Sequence, residues 1–103
     1  MSSMEQREAI GKVRAFKSLL HRHFDVEKVY LFGSYARAEQ QEESDIDVAV
    51  VVRRSSGHFF NEVPLLWKLR RKIDVRIEPL IIQKDSDPSG LLEEIEEYGI
   101  EVV

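Results

Sequence analysis

Two aspartates with the spacing expected of a metal site stand at Asp45 and Asp47, where an apolar run ending at Val52 begins. In an extended strand alternate side chains point to the same face, so the two carboxylates should lie on one face about 7 Å apart. Holding two carboxylates at the start of a buried strand is costly unless a positive charge sits between them. Mg²⁺ is the natural candidate, because it binds through one or two carboxylates together with substrate phosphates.

A glycine and a serine, Gly33 and Ser34, end an earlier apolar run that covers Val29 to Phe32. A glycine–serine step directly after a strand can open a helix whose backbone N–H groups meet an anion. A phosphate cradle lying so near to metal-binding carboxylates predicts phosphoryl or nucleotidyl transfer.

The elements that must position these residues follow from periodicity and punctuation. We predict a first helix within 3–24, a strand at 28–32, a short helix at 34–37, a strand at 45–52, a helix at 61–71, a strand at 73–82, a helix at 91–98 and a last short strand at 100–103. The connection between the first two strands is compatible with a crossover or with a long hairpin. The predicted fold is a small mixed β-sheet with helices packed on it, an α/β or α+β two-layer unit.

Composition narrows the class of protein. The 103 residues are predicted to form one domain, 1–103, and without cysteine they offer no disulfide, thiol nucleophile or cysteine-ligated zinc. The amino terminus has no apolar signal core and no run is long enough to span a bilayer, so we expect a cytoplasmic protein without a membrane partner. The net charge of −4 provides no direct indication of nucleic-acid binding.

The motif as a whole resembles the nucleotidyltransferases of the DNA polymerase beta superfamily. Gly33 and Ser34 are followed by ten residues, then by Asp45-Ile46-Asp47, and later by a lone acid, Asp74, within an apolar segment. The resemblance is greatest to the minimal nucleotidyltransferases, whose pattern reads Gly-Ser-x-Ala-Arg-Gly and then Ser-Asp-Ile-Asp, and it covers nearly the whole chain. It implies the nucleotidyltransferase, polymerase-beta-like fold.

The resemblance also implies roles for single residues. Gly33 and Ser34 would hold the β- and γ-phosphates of ATP or another nucleoside triphosphate. Asp45 and Asp47 would bind Mg²⁺, with a second ion shared with Asp74, as in the two-metal scheme for in-line displacement at phosphorus.

Two residues around this set are assigned less directly. Arg37 is expected to steady the loop or the phosphates. Glu78 lies on the same predicted strand face as Asp74 and is the alternative third carboxylate.

One residue departs from the family's pattern. Ala38 stands where the pattern has a glycine, at a position that often needs a positive φ. Since other residues resist that conformation by about 1–2 kcal/mol, the loop is expected to run differently here, with the metal carboxylates unaffected.

The function implied is Mg²⁺-dependent transfer of a nucleoside monophosphate, AMP from ATP, to a hydroxyl. A chain of this length has no room for an acceptor-binding domain, so the acceptor is expected on a partner protein. In the resembling family that partner is a HEPN toxin, and the minimal nucleotidyltransferase is its antitoxin. A homodimer is a further possibility. The alternatives are an antitoxin that acts by contact alone with a vestigial nucleotide site, and an enzyme that nucleotidylates a small molecule such as an antibiotic.

Overall fold

The computed structural model describes residues 5–39, 44–53, 59–84 and 90–103. Its elements are α1 (Gln6–Leu20), β1 (Val26–Phe32), β2 (Ile46–Val52), α2 (Phe59–Arg70), β3 (Ile77–Gln83), α3 (Leu91–Tyr98) and β4 (Ile100–Glu101). Residues 3 and 4 of the predicted first helix and residues 40–43 of the stretch between the first two strands lie outside the described residues.

The helix α1 is amphipathic and supplies much of the core. Ala9, Val13, Phe16 and Leu20 recur at steps of three and four residues and are fully buried. The predicted helix continued to residue 24, whereas the observed one ends at Leu20 and residues 21–24 form turns.

The connection between β1 and β2 is that of a hairpin. The two strands pair antiparallel from Val26 opposite Val52 to Phe32 opposite Asp47. All residues from Val48 to Val52 are buried, which confirms the prediction that this end of the second strand is covered on both faces.

The third strand begins later than its alternating pattern predicted. β3 starts at Ile77, and the predicted strand residues 73–76 form a turn. The cause is local: the Asp74 carboxylate accepts a hydrogen bond from the Arg76 backbone N–H at 2.8 Å, and the Ile77 N–H donates to the Asp74 carbonyl at 3.1 Å. An aspartate that bonds the backbone two residues on bends the chain into a turn.

The sheet is mixed and has the order β3-β2-β1-β4, with β2 and β3 parallel. β3 is an edge strand, which confirms the interpretation of Pro79, since proline cannot donate to a second neighbour. The helices α1 and α2 pack on one face through the larger core cluster, and α3 packs on the opposite face against Tyr30, Ala49, Val51 and Ile82. The predicted α/β fold is thus confirmed, with α3 as a partial third layer.

None of the helices in the described part of the chain is long and apolar enough to cross a bilayer.

Candidate functional site

The chain leaves β1 through a tight turn at residues 33–38. Gly33 has a φ of 73°, and the Arg37 N–H donates to its carbonyl at 3.2 Å. The predicted short helix is therefore only a single turn. It closes as helices often do, because Glu39 N–H donates to the Ser34 carbonyl while Ala38 takes a left-handed φ of 56°.

The backbone at Ala38 shows how the family's glycine has been replaced. The sequence predicted that the loop would run differently without glycine, yet Ala38 adopts the left-handed conformation that a glycine would have taken. The expectation of a different loop path is wrong at this residue, and the alanine carries a conformational cost of about 1–2 kcal/mol.

This turn, residues 33–38, is held by two residues that sequence reasoning missed. The Tyr35 side chain is fully buried in the core against α1 and the sheet. Gln6, at the start of α1, donates through Nε2 to the carbonyls of Tyr35 and Ala36 at 2.7 and 3.2 Å. The Tyr35 carbonyl also accepts a hydrogen bond from the Ala38 N–H at 3.3 Å, and the amide of Gln6 holds the turn against α1.

Gly33 lies in contact with Asp47, near the start of β2. A Cβ atom added at Gly33 would overlap Oδ2 of Asp47, and the positive φ disfavours a side chain as well. The turn and the carboxylate can approach so closely only because residue 33 has no side chain. A small ligand bound beside this contact would meet backbone N–H groups of the turn and the carboxylate of Asp47 together.

Three carboxylates share the face of the sheet beside this turn. Asp47 is directly opposite Glu78 in the parallel pairing of β2 and β3, and Asp45 lies two residues before Asp47. Residues opposite each other in neighbouring strands have side chains on the same face, about 5 Å apart, and like charges so placed destabilise the sheet. We call Asp45, Asp47 and Glu78 the acidic face.

The electrostatics of the acidic face are those of crowded carboxylates. Loss of hydration, and then the charge of Asp45, raise the pKa of Asp47, while Arg37 opposes them. Loss of hydration also raises the pKa of Glu78, followed by the charge of Asp45, a hydrogen bond with Asp45 and the charge of Asp47. A cation bound here would relieve all of these repulsions at once.

Asp74 lies apart from the acidic face. Its side chain, only 9% exposed, contacts Lys12 Nζ on α1 at 3.0 Å and Arg76 Nη2 at 2.9 Å. The Arg76 hydrogen bonds, helped by Lys12, hold the pKa of Asp74 well below its usual range, and neither Asp45 nor Asp47 is among the groups that shift it. The structure therefore does not bring Asp74 to Asp45 and Asp47, whereas it does bring Glu78.

The turn at residues 73–76, directly before β3, is also held by a side chain of α2. Arg70 donates through Nη1 to the carbonyls of Val75 and Ile77, the latter at 3.2 Å, and its guanidinium lies 4.6 Å from the centre of the Trp67 ring. The turn before β3 is thus fixed by cationic side chains from both helices of that layer, and Glu78 follows it on the opposite face of the sheet.

The donor set fits the divalent cation predicted from sequence. Among the described residues no three His, Cys, Asp or Glu side chains converge into a ready-made cage. Mg²⁺ does not require one, since one or two carboxylates with phosphates and water complete its shell. Asp45 and Asp47 offer that pair, and the backbone of Gly33 lies directly beside Asp47.

A cavity of 440 Å³ opens between the turn and α3. Phe32, Gly33 and Arg37 form one side, and one face of α3 with Gly99 forms the other. Sequence reasoning assigned no role to α3, because an amphipathic acidic helix does not reveal which element it will cover.

The comparisons with known proteins agree with this geometry. Residues 15–103 match the family of polymerase beta nucleotidyltransferases. The chain is 32% identical over 98 residues to the protein adenylyltransferase MntA of Thermococcus cleftensis, covering 88% of this chain and 87% of that one. It is 36% identical over 87 residues to a candidate protein adenylyltransferase of Methanocaldococcus jannaschii, covering 75% and 79%.

Solved structures give the same fold. A candidate nucleotidyltransferase from Sulfolobus solfataricus superimposes with a TM-score of 0.69 at 18% identity, covering 93% of this chain and 80% of that one. A toxin–antitoxin structure with AMP-PNP gives a TM-score of 0.63 at 24% identity, covering 89% and 72%. At such low identities these likenesses show the fold alone.

Proposed function

The chain belongs to the polymerase beta nucleotidyltransferase family, and from this premise we propose that it transfers AMP from ATP, with Mg²⁺, to a hydroxyl of a partner protein of the HEPN toxin type. One observation carries the proposal: the acidic face lies beside a glycine turn that approaches Asp47 without a side chain. Phosphate and metal carboxylates are needed together in nucleotidyl transfer.

The turn at residues 33–38 is assigned to the triphosphate. Gly33 offers close backbone approach, and Ser34 offers a hydroxyl at the start of the single turn. Arg37 is ion-paired with Glu39 at 3.2 Å, and both side chains are more than half exposed. Since such a surface pair contributes only about 0–1 kcal/mol, a phosphate can take over the guanidinium.

The acidic face is assigned to the metal and the proton. Asp45 and Asp47 would hold Mg²⁺, which would supply charge neutralisation for the phosphates and the leaving group. Glu78 replaces Asp74 as the proposed third carboxylate. Asp74 already has two cationic partners and so has less to offer a metal ion.

The reaction follows from these positions. The acceptor oxygen attacks the α-phosphorus, the bond from that phosphorus to the bridging oxygen breaks, and pyrophosphate leaves. The hydroxyl proton would pass to Glu78, the carboxylate that lies directly opposite Asp47 on the neighbouring strand. The product is an acceptor protein that carries AMP on oxygen.

Two observations support a protein as the acceptor. The relatives of this chain include a protein adenylyltransferase, and a similar fold occurs in a toxin–antitoxin structure. On the acidic face itself, Leu80 follows Glu78 on the same side of the edge strand and is 37% exposed. An apolar side chain beside the reacting groups provides a surface on which a partner protein can rest.

The test uses ATP labelled at the α-phosphate, Mg²⁺ and the protein product of the neighbouring gene. We expect label on the partner with the wild-type chain, and a loss of about a thousandfold or more in the Asp45→Asn/Asp47→Asn variant. The matched control is Asp25→Asn, since the Asp25 side chain forms a surface ion pair with Arg53 at 3.1 Å, away from the acidic face.

Two results would contradict the proposal. Absence of label with the wild-type chain would remove the transfer reaction. If the double variant still neutralised the partner as well as the wild type does, the protein would be an antitoxin that acts by contact.

A further inference from the structure

The cavity between the turn and α3 is continuous with the site assigned to the triphosphate. Gly33 and Arg37 line both, because each faces the acidic face and also borders the cavity. Whatever extends from a phosphate bound at the turn, on this side, enters the cavity.

The far wall of the cavity is one face of α3. Leu91, Glu94, Ile95 and Tyr98 line it at positions that share a helix face. This wall holds an apolar centre, one carboxylate and one aromatic ring that is 66% exposed. Phe32 closes the opposite side.

The size and chemistry of the cavity match those of a nucleoside. Pockets for small ligands typically have about 300–1,000 Å³ and are mainly apolar, with a few polar groups that set orientation. The volume of 440 Å³ falls within that range. An exposed tyrosine beside apolar side chains is a common platform for stacking a base.

We propose that this cavity binds the nucleoside of the triphosphate, with Tyr98 stacking on the base and Glu94 selecting bases that carry an exocyclic amino group. This inference rests on the proposed function and adds the part of the nucleotide that α3 would recognise. A carboxylate only accepts hydrogen bonds when ionised, so it favours the amino group of adenine over a base with no donor there.

The experiment measures the binding of ATP and of purine riboside triphosphate, which lacks only the amino group, in the presence of Mg²⁺. We expect the wild-type chain to prefer ATP by about tenfold or more. In Glu94→Gln the preference should fall towards unity, since the strong charge-assisted acceptor is lost. Glu93→Gln is the matched control, because Glu93 is an exposed neighbour on the same helix that does not line the cavity.

A second pair of variants tests stacking. Tyr98→Leu should weaken the binding of both nucleotides by about tenfold or more, and Tyr98→Phe, which retains the ring, should weaken it much less. Because the side chain of Tyr98 is mostly exposed, its replacement should leave the thermal unfolding midpoint nearly unchanged.

The outcomes separate this inference from the proposed function. Equal binding of the two nucleotides to the wild type, or an unchanged preference in Glu94→Gln, overturns the inference while label transfer that needs Asp45 and Asp47 leaves the function intact. If the α3 variants lower transfer to the partner without affecting nucleotide binding, the cavity holds the acceptor and the inference is wrong. If neither nucleotide binds, the proposed function falls as well.

Discussion

The carboxylates on the two sides of the sheet have contrasting surroundings. Asp74 lies on the side of α1 and α2, where Lys12 and Arg76 contact it at 3.0 and 2.9 Å. On the other side, loss of hydration and then the charge of Asp45 raise the pKa of both Asp47 and Glu78, opposed by Arg37 at Asp47 and by Arg70 at Glu78. A carboxylate that the fold has neutralised is part of the scaffold, whereas carboxylates that repel one another beside a glycine turn are suited to an incoming cation.

The strongest test of this difference is a substitution of Glu78, the proposed third carboxylate. Glu78→Gln should lower label transfer by about a hundredfold, because a general base typically contributes that much or more. Its stability should be unchanged or slightly higher, because one of three repelling charges has been removed. Label transfer and thermal unfolding of the same preparation measure the two effects.

Asp74→Asn is the corresponding substitution on the other side of the sheet. Per folded molecule, this variant should transfer label at a rate within a fewfold of that of the wild type. If instead Asp74→Asn abolished transfer in a fully folded protein while Glu78→Gln did not, the assignment of the third carboxylate would have to return to Asp74.

The second prediction concerns stability and pH. Asp74→Asn should lower the free energy of unfolding by about 1–2 kcal/mol at neutral pH, because it weakens charge-assisted hydrogen bonds whose cationic partners are partly exposed. The pKa of Asp74 is depressed in the fold, so its contribution is fully present above its unfolded value near 4 and is lost as the pH falls through the folded pKa.

Urea unfolding of wild type and variant at a series of pH values checks this. The difference between them should be constant at neutral pH and should shrink below about pH 4. Asp25→Asn, at a surface ion pair, should change stability by less than about 1 kcal/mol. A gap between wild type and Asp74→Asn that stayed the same down to pH 2 would mean that the Asp74 ion pairs do not stabilise the fold.

The last prediction concerns the turn at residues 33–38, which borders the acidic face, and Ala38→Gly in this turn has the smallest expected effect. Gly33→Ala should lower the free energy of unfolding by about 1–2 kcal/mol, from its positive φ, and should weaken nucleotide binding because the new methyl group displaces Asp47. Ala38→Gly in the same turn should do the opposite, raising stability by several tenths of a kcal/mol or more, with label transfer retained. If Gly33→Ala left nucleotide binding as little changed as Ala38→Gly does, the close approach of residue 33 to Asp47 would be unimportant for binding.

Much of the structure around the site could be predicted from the sequence. The buried strand from Val48 to Val52 was predicted from an unbroken apolar run, and the family was identified from the spacing of Gly33-Ser34 and Asp45-Ile46-Asp47. These features are local, so sequence order carries them. The extent of β3 was not readable, because the alternation at residues 73–76 suits a strand and a turn equally until the Asp74 side chain bonds its own backbone.

The sequence by itself thus determined the order of the main elements, the family and the pair Asp45 and Asp47 at the start of β2, since each depends on residues close together in the chain. Only the tertiary structure decided which acid joins them. The start of β3 and its parallel register with β2 put Glu78 opposite Asp47, and Lys12 from α1 reaches Asp74 on the other side of the sheet. Those are contacts between segments far apart in the chain, and no spacing within one segment encodes them.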